Sequence, residues 1–216
     1  MANKYQIIER MPDCGVTAVV RTDSPEELVN VAEAIRKGGV DIIEITMTTP
    51  GALDVISAVA KRFGDDVLIG AGTVLDPETA RATFLAGAEF VVSPIWSPQL
   101  IAMCRRYSKP VIPGAFTPTE ILAAWDAGAD MVKVFPASLG GPELIKAIRG
   151  PLPQIPLVPT GGVEMDNTAD FIKAGSAMVA VGGNLVKKSL VKEKKFDELT
   201  DLARRFKEEV AKGRGR

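Results

Sequence analysis

The chain has 216 residues, a net charge of −1 and no histidine, which removes the imidazole-based serine and cysteine triads and every His-containing zinc or iron site. Its 46% hydrophobic and 25% charged residues are the balance of a soluble globular protein, long enough for one domain, 1–216, with a substantial core. The near-neutral charge gives no reason to expect nucleic acid or a membrane as partner, and no apolar run nears the roughly 20 residues of a membrane span.

Residues 3–11 read as a short helix across one end of the domain. A strand–helix unit then begins and recurs. Residues 17–20 form a strand, and Ser24-Pro25-Glu26-Glu27 opens a helix with an N-cap serine, a proline at the first helical position and a glutamate three residues after the cap. That helix stops at Gly38-Gly39. Strand 41–46 leads to Thr49-Pro50, strand 67–72 to Asp76-Pro77, and strand 90–93 to Ser97-Pro98. Strand 111–114 leads to the capping box Thr117-Pro118-Thr119-Glu120, and strand 130–136 to Gly140-Gly141-Pro142. After strand 156–160 the cue becomes Gly161-Gly162, with a helix near 166–174; the eighth strand, 177–181, ends in Gly182-Gly183.

Eight short apolar strands alternating with helices predict an α/β fold, a (β/α)8 barrel. An open doubly wound sheet is disfavoured, because no Gly-x-Gly-x-x-Gly follows the first strand. Residues 196–210 carry apolar side chains at helical spacing and predict a terminal helix docked on the barrel. Gly213-Arg214-Gly215-Arg216 is expected to fray. The first residues show no signal-peptide pattern, and Cys14 and Cys104 match neither a disulfide framework nor a metal motif. A reducing cytoplasm is the expected compartment.

Chemistry must then run on lysine, carboxylates, hydroxyls, arginine and backbone amides. Lys133 stands at the centre of Asp130-Met131-Val132-Lys133-Val134-Phe135-Pro136, an apolar run of the kind that makes a buried strand. Alternation puts Met131, Lys133 and Phe135 on one face and Val132 and Val134 on the other. Burial favours the neutral, nucleophilic amine, the starting point for a Schiff base with a carbonyl substrate. The plainer alternative is a lysine that snorkels to water. Glu44 lies between isoleucines on the second strand, where a carboxylate is costly unless paired. Lys133 is its natural partner, in a catalytic pair or in a purely structural one.

Barrels of this kind carry their sites at the C-terminal ends of the strands. That rule adds Arg21, Thr73 and Ser93-Pro94, each weak alone. Gly161-Gly162 and Gly182-Gly183 follow the last two strands, where backbone amides commonly build a phosphate site; either pair could also be only a tight turn.

Several segments share one resemblance: Glu44-Ile45-Thr46, Gly70-Ala71-Gly72-Thr73-Val74-Leu75, Ser93-Pro94, Ile112-Pro113-Gly114, Thr117-Pro118-Thr119-Glu120, Lys133-Val134-Phe135-Pro136-Ala137 and Pro159-Thr160-Gly161-Gly162. In order and across residues 16–186, they resemble the bacterial KDPG/KHG aldolase family (2-dehydro-3-deoxy-6-phosphogluconate and 4-hydroxy-2-oxoglutarate aldolases). The resemblance implies a (β/α)8 barrel, usually a homotrimer, and metal-free class I aldol cleavage of a 2-keto acid to pyruvate, with no cofactor beyond the imine. Lys133 matches the Schiff-base lysine and Glu44 the general acid/base. Thr73 matches a residue holding the pyruvyl carboxylate, and Thr160 one linked to stereochemical preference. The implied substrate-binding set also takes in Arg21, Thr48, Pro94, Phe135, Gly161, Gly162, Gly182, Gly183 and Asn184. Many members carry arginine at Thr48, and here Arg21 could supply that charge. Serine is frequent at Asn184, and glycine at Ile95. Two other readings stay open: an isomerase or decarboxylase using lysine and glutamate without an imine, and a catalytically silent or engineered barrel serving as an assembly scaffold.

Overall fold

The computed structural model describes residues 3–21 and 24–215. Helix α1 (Lys4–Cys14) starts with a reciprocal capping box. The Asn3 side chain accepts from the Tyr5 and Gln6 amides, and Gln6 Oε1 accepts from the Asn3 amide at 2.8 Å. The helix outlasts the expected span of 3–11 and runs through Pro12 to a left-handed Gly15. Ile7, Met11 and Cys14 share its buried face, and their burial holds the last turn despite the hydrogen bond that proline removes.

Strands and helices then alternate: β1 (Val16–Val20), α2 (Pro25–Lys37), β2 (Ile42–Thr46), α3 (Ala52–Phe63), β3 (Leu68–Gly72), α4 (Pro77–Ala86), β4 (Phe90–Val92) and α5 (Pro98–Arg106). The second half holds β5 (Val111–Ile112), β6 (Gly114–Ala115), α6 (Pro118–Asp126), β7 (Val132–Val134), α7 (Gly141–Arg149), β8 (Leu157–Pro159), α8 (Thr168–Lys173), β9 (Val179–Val181), α9 (Lys188–Lys192) and α10 (Phe196–Gly213). The expected caps are present in α2, α4, α5 and α6, where Ser24, Asp76, Ser97 and Thr117 each accept from the amide three residues on. Helix α3 departs from expectation. It starts at Ala52 rather than Pro50, after Gly51 at φ 66°. Thr49 does not cap it, because its hydroxyl meets Thr46 Oγ1 at 3.3 Å.

All ladders are parallel. They make a curled six-stranded sheet, β5-β4-β3-β2-β1-β9, and a three-stranded one, β6-β7-β8. The expected strand 111–114 is thus split. Pro113 has no N–H to give a ladder, so the chain pairs with β4 before it and with β7 after it. On the other flank, a parallel bridge from Thr160 to Ala180 joins the end of β8 to β9.

Strand alternation sorts the core in two. Val132, Val134, Ile43, Ile45 and Ile69 pack in the cluster that includes the helices' apolar faces. Ile42, Leu68, Phe90, Met131 and Met178 face the other way and pack with Ile7, Met11 and Cys14 of α1. The inner face is therefore plugged at the N-terminal ends of its strands, and the C-terminal ends are left for polar side chains.

Helix α10 packs on α2 and α8. Thr200 Oγ1 donates to Ala34 O at 2.8 Å, and Gly38 permits the approach, since a β-carbon there would lie 2.4 Å from Thr200 O. The expected fraying of the tail gives way to docking: Gly213 ends α10, and Arg214 donates to the carbonyls of Pro12 and Asp13. Arg216 lies outside the described residues. Among the described residues, no helix is long and apolar enough to cross a membrane.

Candidate active site

Inward-facing residues at the strand ends open into one cavity of about 490 Å³. Strand β1 brings Val19 and Arg21, and β2 brings Glu44 with Thr48 just beyond it. Thr73 follows β3, and Pro94 follows β4. Lys133 and Phe135 come from β7 and its end; Thr160, Gly161 and Gly162 follow β8; Gly182, Gly183 and Asn184 follow β9. Of the residues singled out for the site from sequence, all but Ser93 line this cavity; Ser93 is fully buried, and its hydroxyl accepts from the Ile95 amide at 3.3 Å. Val19 and Ala180, on inner strand faces, and Val163, in the turn after β8, also line it and were not foreseen, because an apolar side chain carries no chemical signal.

Lys133 is 6% exposed, and its Nζ stands 5.0 Å from the centre of the Phe135 ring, a cation–π distance. Glu44 is 1% exposed, and its Oε2 has no hydrogen-bond partner among the described residues. Burial pushes the Glu44 carboxyl above its ordinary value, against the opposing charges of Lys133 and Arg21. No direct ion pair joins Glu44 to Lys133; the two act on each other through space. Gly72 makes room for the carboxylate, since a β-carbon there would lie 1.9 Å from Glu44 Oε1.

Thr73 sits at φ 58°. A β-branched residue in the left-handed region is strained by about 1–3 kcal/mol, and such outliers cluster at functional sites. The Thr48 hydroxyl lies 3.1 Å from Thr46 Oγ1, and Thr160 Oγ1 donates to Val158 O at 3.3 Å. Arg21 is exposed at the rim, next to Gly182.

The glycine turns differ from each other. Gly161 and Gly162 have φ of 81° and 80°. A β-carbon on Gly162 would meet Ser138 Cβ at 2.5 Å, whereas one on Gly183 would meet nothing within 4 Å. The backbone amides of Gly162, Val163, Gly183 and Asn184 donate to no described residue, which leaves them free for an anion. Among the described residues, no group of three or more His, Cys, Asp or Glu is arranged to hold a metal ion.

The family profile for KDPG and KHG aldolases matches residues 7–202. The chain is 34% identical over 200 residues to the 2-dehydro-3-deoxy-phosphogluconate aldolase of Haemophilus influenzae, covering 92% of this chain and 94% of that one. It aligns with the native KDPGal structure at a TM-score of 0.87 and 32% identity, over 93% of this chain and 96% of that one. The KDPG aldolase of Legionella pneumophila, with pyruvate captured at low pH as a covalent carbinolamine, aligns at a TM-score of 0.83 and 31% identity, over 88% and 92% of the two chains. With a profile match across nearly its whole length and relatives above 30% identity, the chain belongs to the KDPG and KHG aldolase family and is an aldolase, a carbon–carbon lyase.

Proposed function

We propose that the chain cleaves 2-dehydro-3-deoxy-6-phosphogluconate (KDPG) to pyruvate and glyceraldehyde 3-phosphate through a metal-free imine on Lys133, and also takes 4-hydroxy-2-oxoglutarate to pyruvate and glyoxylate. The observation that carries this reading is a lysine and a carboxylate, both nearly excluded from solvent, on one cavity. The pyruvate carbinolamine captured in the Legionella relative supports the covalent route.

In this reading the unprotonated Lys133 amine attacks the C2 ketone, and the carbinolamine loses water to give an iminium. Glu44 takes the C4 hydroxyl proton as the C3–C4 bond breaks, and the electrons of that bond flow to the iminium nitrogen. Protonation of the resulting enamine at C3 and hydrolysis release pyruvate. The raised proton affinity of Glu44 suits the acid steps, and its unbonded Oε2 suits a substrate hydroxyl. Arg21 and Thr73 hold the carboxylate, Thr48 being too short to do so. Pro94, Phe135 and Thr160 line the path to the glycine turns, whose free amides take the phosphate.

The same reading joins the two sheets into one closed (β/α)8 barrel. It is supported by the break at Pro113, which leaves β5 and β6 as parts of one strand, and by the Thr160–Ala180 bridge. A homotrimer in the cytoplasm completes the proposal on family resemblance alone.

Borohydride with pyruvate is expected to fix one pyruvyl adduct on Lys133, and a coupled assay to register pyruvate from both substrates. Lys133→Ala is expected to abolish adduct and cleavage alike. An adduct persisting on another lysine would overturn the assignment. A wild type without adduct or turnover would favour the isomerase, decarboxylase or scaffold readings.

A further inference from the structure

Two asparagines from different parts of the chain grip the turn after β8. Asn167 Nδ2 donates to Gly162 O at 2.9 Å, while Asn167 Oδ1 accepts from the Glu164 amide at 2.9 Å. Asn184 Nδ2 donates to Val163 O at 2.9 Å. A trans peptide is planar, with its C=O and N–H pointing in opposite directions. The unit between Val163 and Glu164 is therefore held at both ends, its oxygen by Asn184 and its nitrogen by Asn167. The unit between Gly162 and Val163 is held at its oxygen alone. Its N–H, that of Val163, points away from Asn167 and donates to no described residue. Val163 lines the catalytic cavity.

The bond from Asn184 has a second effect. Asn184 follows Gly182-Gly183, so its reach to Val163 O ties the turn after β9 to the turn after β8. Glycine pairs have little intrinsic preference for any one conformation, and Gly161 and Gly162 both sit at positive φ. Donors on such turns serve an anion well only when something else fixes them beforehand.

We propose that Asn167, acting with Asn184, is a positioning residue that orients the free amides of both glycine turns toward the anionic far end of the substrate. Asn167 lies outside the cavity and acts through Gly162 and Glu164. The proposal rests on the phosphate reading given above. Each contact is a neutral hydrogen bond with solvent access, so losing one is expected to weaken anion binding about 2- to 10-fold.

The test uses the full chain carrying Asn167→Ala, Asn184→Ala or both. The readouts are kcat and KM for KDPG and for 4-hydroxy-2-oxoglutarate, and the inhibition constant of inorganic phosphate against KDPG. The expected result is a rise of about 2- to 10-fold in KM for KDPG and in the phosphate inhibition constant, exceeding any change on the shorter substrate by a similar factor. Because the side chains hold one turn, the double variant is expected to lose less than the product of the single losses. Equal losses on both substrates, or unchanged KM and inhibition constants, would overturn the proposal. A wild type that phosphate does not inhibit would overturn the phosphate reading as well; inhibition unaltered in the variants would overturn the positioning role alone. Asn167→Ser and Asn184→Ser, melted alongside, carry the same test where alanine lowers the yield of folded protein.

Discussion

Glu44 couples the chemistry of the site to the stability of the fold. In the unfolded chain its carboxyl titrates near about 4.3, and burial in the folded protein raises that value. Well below the unfolded value both states hold the proton, and the buried site costs nothing. As pH rises, the unfolded chain releases its proton first, so stability falls until the raised folded value is passed. Glu44→Gln removes this titration. Its melting temperature relative to wild type is therefore expected to climb with pH from about 4 upward, as scanning calorimetry at several pH values would register. A difference that stays flat with pH would count against the raised proton affinity of the buried carboxyl. The same variant is expected to lose ~10²–10⁴-fold in cleavage rate; near-normal turnover would reduce Glu44 to a structural group. Glu44 and Lys133 were legible in the sequence because a charge inside an apolar strand is conspicuous. Asn167 was not, since it bonds to backbone atoms that only the folded turn brings near it.

At the scale of elements, two glycine turns that look alike in sequence have different tolerances. Gly162 is forced by its positive φ and by Ser138, whereas Gly183 faces open space. Gly183→Ala is expected to keep the wild-type melting temperature while lowering kcat/KM for KDPG more than for 4-hydroxy-2-oxoglutarate. Gly162→Ala is expected to melt earlier and lose activity on both. Equal tolerance at the two positions, measured by melting curves and both assays, would contradict the geometry. Proline and glycine punctuation located most helices because caps and breakers act locally, as the Ser24, Asp76, Ser97 and Thr117 caps show. It misplaced the start of α3, where Thr49 turned to Thr46 instead of to the helix. It gave no hint of α9, whose five residues are too few for a periodic pattern.

For the whole molecule, the two ends of the sheet have separate duties. Met11 is fully buried in the inner cluster and does not itself line the cavity, although Val19 and Ala180 of the same cluster do. Met11→Ala is expected to cost about 2–5 kcal/mol of stability, read by denaturant unfolding, with kcat/KM for KDPG unchanged below the transition. A proportional loss of activity would mean that the plug also shapes the site. Repeated strand–helix units led to eight expected strands; the ninth strand and the division into two sheets depend on the register around Pro113, which no residue pattern announces. The last turn of α1 adds a matter of timing. Its carbonyls at Cys14 and Pro12 accept from Lys207 and Arg214, which follow them by 193 and 202 residues. Such carbonyls have no partners within their own helix. At roughly 5–20 residues per second, a ribosome delivers those side chains about 10–40 s after the helix itself. Helix α1 is therefore expected to close only after α10 is made, its final turn exchanging with solvent until Lys207 and Arg214 dock on it.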